Sequence, residues 1–556
     1  MYHTYYNKQA VKYSTGYTLN LALVLLVVYG LVMGCKKDDR LGADPYEKTV
    51  TPLVKFLDTD PEPTSGGAGD RVTFYVQGLD SIDASQFEFY INQTKAEVVS
   101  IKDSAVTVII PEKASSGAAS VLVKGENYFG PLFSVDGKVR IDPTFNAGRG
   151  VGQFQYIQDI IPTTDGGYYL IGNFNDFSGN ATEAEPINSI VKITGSGDFV
   201  KVDAMGKGAV GGTLNTIMHY TGTDSKDYYY IGGAFNGYNV RDGIQNITRL
   251  TGGAALDTMQ VNLINLDPDN RPDDSYDTVP SFNGGVNGPV SYLFNDGKGI
   301  VAIGAFQYYY SYYYERSTVG NHVLDRYKVG QFVRMHDDGS IDSTYNFDPS
   351  TGYGRAGTNG FIYNACQLED ARIIVVGSFN KFNGKSAGRI AMLTDDGDLD
   401  PAFNAGGTGA NDEISTIQYN KTTQKFMITG AFTSYNGQPA NGVAMLNRDG
   451  SLDTGFNFGK ISGGVSSFAA QLSNGLVLIT GYFDHYNDVF HQGMLFLNAD
   501  GSLAQGYNNI GSFSGGSVAK IYEAPTELGT FGVILVGSFS LVDNKAYNGI
   551  VKIEIQ

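Results

Sequence analysis

The chain has 556 residues, with 39 basic against 57 acidic side chains, 72 Gly, 37 Tyr, 32 Phe, no Trp and two Cys. A formal charge of −18 without any concentrated Lys/Arg run excludes nucleic acid as a partner, because phosphate recognition needs a basic surface. Two cysteines exclude a disulfide framework, and the length exceeds one ordinary domain, so the composition points to an all-β chain of many short aromatic-rich strands and glycine turns.

In chain order, Lys8 and Lys12 precede an apolar run from Leu19 to Met33 that is broken only by Asn20, Tyr29 and Gly30, which is the pattern of a signal peptide over residues 1–34. The run falls short of the roughly 20 residues that cross a bilayer. Removing it leaves 37 basic against 57 acidic residues, a net charge of −20. The stretch Leu31-Val-Met-Gly-Cys35 resembles a bacterial lipobox, although Met33 stands where a small or β-branched residue is usual. The resemblance implies that Cys35 is lipidated, becomes the mature N-terminus and holds the protein to the outer membrane through several acyl chains. Lys37, Asp38 and Asp39 resemble the Lys-acidic-acidic signal that sends Bacteroidetes lipoproteins to the extracellular face of that membrane. Residues 35–49 read as anchor and flexible linker.

Residues 50–137 alternate like strands separated by turn residues, as in Arg71–Val76, Phe87–Ile91, Ala105–Ile110 and Ala119–Val123. This predicts a small β-sandwich. The order Pro61, Pro63, Gly69-Asp70, an Asn-Gln-Thr-Lys-Ala-Glu-Val strand, Ile110-Pro111 and Ser116-Gly117 resembles an immunoglobulin-like IPT/TIG domain, and the resemblance implies a spacer.

Residues 138–556 repeat. Seven times an apolar strand ends in Gly-x-Phe, at Gly172, Gly233, Gly304, Gly377, Gly430, Gly481 and Gly537. A second apolar strand then leads into a glycine turn such as Asp396-Gly397 or Asp449-Gly450, followed by an ending such as Leu399-Asp-Pro-Ala-Phe-Asn404. Each unit has room for four strands, labelled a to d, which is a propeller blade. The last unit lacks its fourth strand, and Val139-Arg-Ile-Asp-Pro-Thr-Phe-Asn146 supplies one ahead of the first. The expectation is a seven-bladed β-propeller closed by an N-terminal strand, without the exposed edges of an open array. The combined repeat resembles the delta-60 repeat of bacterial propellers, and with the lipoprotein start it resembles Bacteroidetes surface lipoproteins that work in polysaccharide uptake.

Two insertions fall near the third unit, at 262–289 and 307–329. The second holds a run of tyrosines, and Tyr310, Tyr312, Tyr313 and Tyr314 are the candidate ligand contacts, because rings with polar tips stack on sugar faces. Tyr309 occupies the position of Phe177, Tyr238, Phe382, Tyr435 and Tyr486 in other units and reads as structural. Asp267, Asp269, Asp273, Asp274 and Asp277 lack the spacing of a calcium loop and read as a solvated acidic segment. Cys366 reads as a small buried strand residue. No catalytic, metal or cofactor motif stands out. The leading expectation is a non-catalytic protein that binds a polysaccharide or oligosaccharide beside a SusC/SusD-like uptake complex. The alternatives are a protein-interaction subunit docking onto an outer-membrane transporter complex, and a glycoside hydrolase or polysaccharide lyase.

Overall fold

The structure, a computed structural model, describes residues 54–556. The leader, Cys35, Lys37, Asp38, Asp39 and the linker lie outside the described residues. Those described contain no α-helix, only strands and four short 3₁₀ turns, and no helix among them is long and apolar enough to cross a membrane.

The first strands, between Lys55 and Asp136, form one eight-stranded sheet curled around a core that includes Phe74, Phe89 and Phe133. The expected strands recur at Arg71–Gln77, Phe87–Ile91, Ala105–Ile109 and Gly117–Val123. The strand Thr94–Lys102 pairs with Phe89–Ile91 in its first part and with Ala105–Ile109 in its second, shifting register between Val98 and Ser100. One strand therefore belongs to both halves of the curl.

From Tyr156 onward, seven antiparallel sheets recur among the described residues, each with strands in the order a, b, c. Strands a are Tyr156–Pro162, Thr213–Thr221, Val290–Asn295, Ile362–Gln367, Ile414–Asn420, Ser466–Gln471 and Val518–Glu523. Strands b end at Asn173, Ala234, Gly304, Gly377, Gly430, Gly481 and Gly537. Every strand a carries a register shift opposite the end of b, for example between Ile362 and Asn364. That bulge explains the Gly-x-Phe signature. A Cβ on any of the seven glycines would lie 1.9–2.3 Å from a carbonyl oxygen of the facing strand a, so only glycine fits. The phenylalanine two residues on is buried in every sheet.

The fourth strand is shorter than the repeat suggests. In five sheets it is a single bridge, as between Leu393 and Leu399 or Leu446 and Leu452. In the third to fifth sheets the next residue is an aspartate that turns the chain by accepting a backbone N–H two residues on, Asp342 from Thr344, Asp400 from Ala402 and Asp453 from Gly455. In the seventh sheet, Val139–Ile141 pairs antiparallel with the C-terminal strand Ile550–Ile555, and the Arg140 guanidinium meets the Glu554 carboxylate at 2.5 Å.

Each sheet packs on the next through its own apolar cluster. One cluster holds Ile171 with Leu214, the next Ile247 with Val290, then Ile303 with Val375, Ile374 with Ile428, Met445 with Ile479, and Leu478 with Val533. The circuit returns from Val536 and Ile550 in the seventh sheet to Ile157 and Leu170 in the first. Between b and c, two-residue turns such as Asn383-Gly384 and Asn436-Gly437 have positive φ at both positions, as such hairpins require. Their asparagine side chains accept the N–H groups of Gly357 and Gly409, pinning each hairpin to the segment arriving from the preceding sheet.

The curled sheet is clamped to sheets six and seven. Ser116 donates its backbone N–H to the Asn509 carbonyl at 2.8 Å, and Asn544 Nδ2 donates to the Ser116 carbonyl at 3.1 Å. Gly511 permits this approach, since a Cβ there would lie 2.5 Å from Ser116 O. Beside the joint His491 is buried without a partner for Nε2, and burial, with His485 and Lys113 nearby, lowers its pKa from 6.5 to about 4. The unfolded chain thus takes up this proton first. The His491 contribution is complete above about pH 6.5 and is lost as the pH falls toward 4. Urea midpoints measured across that range are expected to fall less steeply for His491→Gln than for the wild type.

Candidate functional site

In an antiparallel a-b-c meander, the b–c hairpin and the start of the next strand a lie at one end, and the a–b and c–d turns at the other. The large apolar side chains that the seven repeats expose are distributed unequally between these ends. All but Leu528, which sits in an a–b turn, lie on b–c hairpins, on segments leading into the next strand a, or on the first residues of strand a.

Two groups of aromatic residues stand out on this hairpin side. At the start of strand a in the fourth sheet, Phe361 and Tyr363 are 70% and 40% exposed and their rings stack 6.5 Å apart at 9°. Tyr363 is the extra residue of the bulge, which turns it out of the alternation its half-buried neighbours Ile362 and Asn364 follow. In the sixth sheet Tyr482, the middle residue of Gly-x-Phe, is 55% exposed beside Val465.

The second group is the tyrosine insertion of the third sheet. Tyr308–Tyr312 forms a strand of its own, paired with Leu324–Lys328 and with Gly285–Val286, and does not extend strand b. Tyr309 is buried and its hydroxyl donates to the Gly339 carbonyl, as Tyr435 does to Gly450 and Tyr486 to Gly501, which fixes its structural role. Tyr310 is half-buried in the strand. Tyr312 donates its hydroxyl to the Gly243 carbonyl at 2.8 Å and stacks on Tyr314 at 5.7 Å. Tyr313 lies under the Arg316 guanidinium at 4.7 Å. Tyr314 is only 9% exposed, packed with Leu263 and Val279 of the other insertion, and burial raises its pKa. Of the four tyrosines picked from the sequence, Tyr314 therefore packs between the insertions, and Tyr310, Tyr312 and Tyr313 keep exposed surface.

The two insertions meet. Residues Thr258–Asn262 and Tyr276–Pro280 form a hairpin, Ile264 donates its N–H to the Ser317 carbonyl, and Asp277 lies 3.9 Å from the His322 ring. Among the described residues, no cluster of three or more His, Cys, Asp or Glu side chains is arranged to hold a metal ion.

Behind the hairpin side the strands a of every sheet but the sixth line a shaft of about 450 Å³. Its one carboxylate, Asp159, is 7% exposed, ion-paired with Lys520, and accepts the Ile217 N–H at 3.3 Å. Cys366 lines the same shaft and is not fully enclosed by the sheet core as its alternation suggested, because the bulge at Tyr363 shifts the phase of the strand. Burial pushes its thiol up to about 12, so it is protonated at neutral pH.

Two family models match parts of the chain. One is a domain of unknown function (DUF5008), over residues 31–131, and the other is a domain of unknown function (DUF5122) beta-propeller, over residues 369–403 and 425–456. The second covers strands b and c of the fourth and fifth sheets, so these repeats are of β-propeller kind. No curated protein matches the chain by sequence. Among solved structures, a protein of unknown function from Bacteroides thetaiotaomicron is 11% identical, with 92% of this chain and 99% of that one covered and a TM-score of 0.23. An auxiliary nutrient binding protein from the same organism is 14% identical, covering 68% and 95%, with a TM-score of 0.20. The WD40 beta propeller domain of Doa1 is 13% identical, covering 75% and 97%, with a TM-score of 0.37. Likenesses of this strength assign no function.

Proposed function

We propose that the chain is a surface lipoprotein, anchored to the outer membrane through Cys35, whose seven sheets are the blades of one closed propeller. Residues 1–34 are then the leader, 35–49 the tether, 50–137 an Ig-like module of the IPT/TIG kind and 138–556 the propeller. The sheet-to-sheet packing that returns from the seventh sheet to the first supports the closed ring, as does the pairing of Val139–Ile141 with the C-terminal strand. The function is non-catalytic binding of a glycan on the hairpin side, as an accessory to nutrient uptake beside a SusC/SusD-like complex.

The observation that carries this reading is the parallel, solvent-facing pair Phe361 and Tyr363. Exposed stacked rings hold the apolar faces of sugar rings and are costly to leave in water otherwise. The partly exposed Tyr310, Tyr312 and Tyr313 extend the surface on the third blade. A second reading, docking of a partner protein, draws on the aliphatic side chains on the same side, Val240, Leu266 and Val465, which offer nothing specific to a sugar.

Affinity electrophoresis of the mature chain against a polysaccharide panel tests the assignment. At least one polymer is expected to retard the wild type, with roughly tenfold or greater weakening in the double variant Phe361→Ala, Tyr363→Ala. Retardation by no polymer, together with co-purification of an outer-membrane protein, would replace glycan binding with docking. Product release from a retained polymer would establish catalysis.

A further inference from the structure

The shaft behind the aromatic pair has a chemistry of its own. In five of the seven strands a the residue after the bulge lines the shaft, and all five are polar or aromatic-polar: Asp159, Thr216, Tyr292, Asn364 and Lys520. Two residues further along, alternation places Ile161, Met218, Phe294, Cys366 and Gln418 on the same wall. The shaft therefore runs from a polar collar on the hairpin side to a second layer in which Gln418 stands among apolar side chains.

The charges of the collar cancel. Asp159 and Lys520 are paired with each other, and His219 further along is engaged by Asp227 at 2.9 Å. Asn215 and Gln367 donate their amide groups to the Val290 and Asn295 carbonyls, whereas the Asn364 and Gln418 carboxamides carry no such bond among the described residues. A carboxamide offers both donors and acceptors, which matches hydroxyl groups and neither sign of ion. The volume falls within the roughly 300–1,000 Å³ of small-molecule sites.

We propose that the shaft is a binding site distinct from the outer face, and that it takes a neutral polyhydroxylated ligand the size of one or two sugar rings through Asn364 and Gln418. This rests on the glycan-binding reading of the hairpin side, since it makes the shaft the subsite for the end of the chain held there by Phe361 and Tyr363.

The test is calorimetric titration of the mature protein with glucose, galactose, mannose, xylose, maltose, lactose, cellobiose and xylobiose. At least one of these is expected to bind, and the variant Asn364→Leu, Gln418→Leu to bind it roughly tenfold or more weakly, because each leucine removes a hydrogen-bonding group from the wall. If the leucine pair lowers the melting temperature, Asn364→Ser alone, which keeps a shorter polar group, must still weaken binding. Binding of none of the sugars, or binding unchanged in these variants, would overturn the proposal. Polymer retardation in gels reads the outer face separately: retardation without sugar binding sinks the shaft and leaves the face, and sugar binding without retardation does the reverse.

Discussion

Gly377→Ala is expected to lower the stability of the chain by about 3 kcal/mol. The residue ends strand b of the fourth sheet, and its missing Cβ is the space into which the bulged backbone of strand a fits. An added Cβ would lie 1.9 Å from the Phe361 carbonyl oxygen and 3.1 Å from Ile362 Cα, both backbone atoms that no side-chain rotation can move away. Relief must come from parting the two strands or flattening the bulge, and either disturbs the core that Ile374 and Val376 share with the next sheet. Gly253→Ala is the control. Nothing lies within 4 Å of a Cβ built there and its backbone is not left-handed, so stability should change by less than about 1 kcal/mol. Chemical denaturation of both variants decides the matter, and equal midpoints would show that the glycine is incidental.

Asn509→Leu should be comparably damaging, at about 3 kcal/mol. This one side chain ties three parts of the molecule together. Its Oδ1 accepts the Val139 N–H at 3.3 Å, and its Nδ2 donates to the carbonyls of Val135 at 3.1 Å and Val139 at 2.8 Å. Its own carbonyl receives both the backbone N–H and the hydroxyl of Ser116. Leucine has a similar volume but leaves the Val139 N–H and two carbonyls without partners in a buried setting, and the desolvation of such groups is not recovered elsewhere. Because those groups flank the strand that completes the seventh sheet, limited proteolysis should cut first near Gly137 in the variant. A variant as resistant as the wild type would show that the strand is held by its pairing with Ile550–Ile555 alone.

Much of this architecture was legible in the sequence for reasons the structure makes plain. Gly-x-Phe recurs because glycine is the only residue that fits opposite a bulge and the phenylalanine beyond it is core. The Tyr or Phe before the b–c turn recurs because its ring is buried and, in Tyr435 and Tyr486, its hydroxyl caps the glycine turn of the same sheet. The fourth strand was overestimated, since its aspartate both ends the strand and caps the turn that follows. The exposed pair at Phe361 and Tyr363 went unnoticed in the sequence because the bulge that takes Tyr363 out of the alternation leaves no mark in composition. Tyr314 misled in the opposite direction. A run of tyrosines looks like a displayed surface, yet its last ring fills the gap between two insertions whose contact requires long-range information.

The two insertions and the aromatic pair belong to the hairpin side, and the clamp on the curled sheet engages sheets six and seven. In packing order, sheets two and three, which carry the insertions, stand away from that clamp.

The most direct measurement is a covalent footprint of the protein with and without the ligand it retains, read peptide by peptide. Protection is predicted on the strand containing Phe361 and Tyr363, with the tyrosine insertion as its flank, and none on the a–b turns around Leu528. Protection confined to those turns, or to the curled sheet before residue 137, would contradict the account.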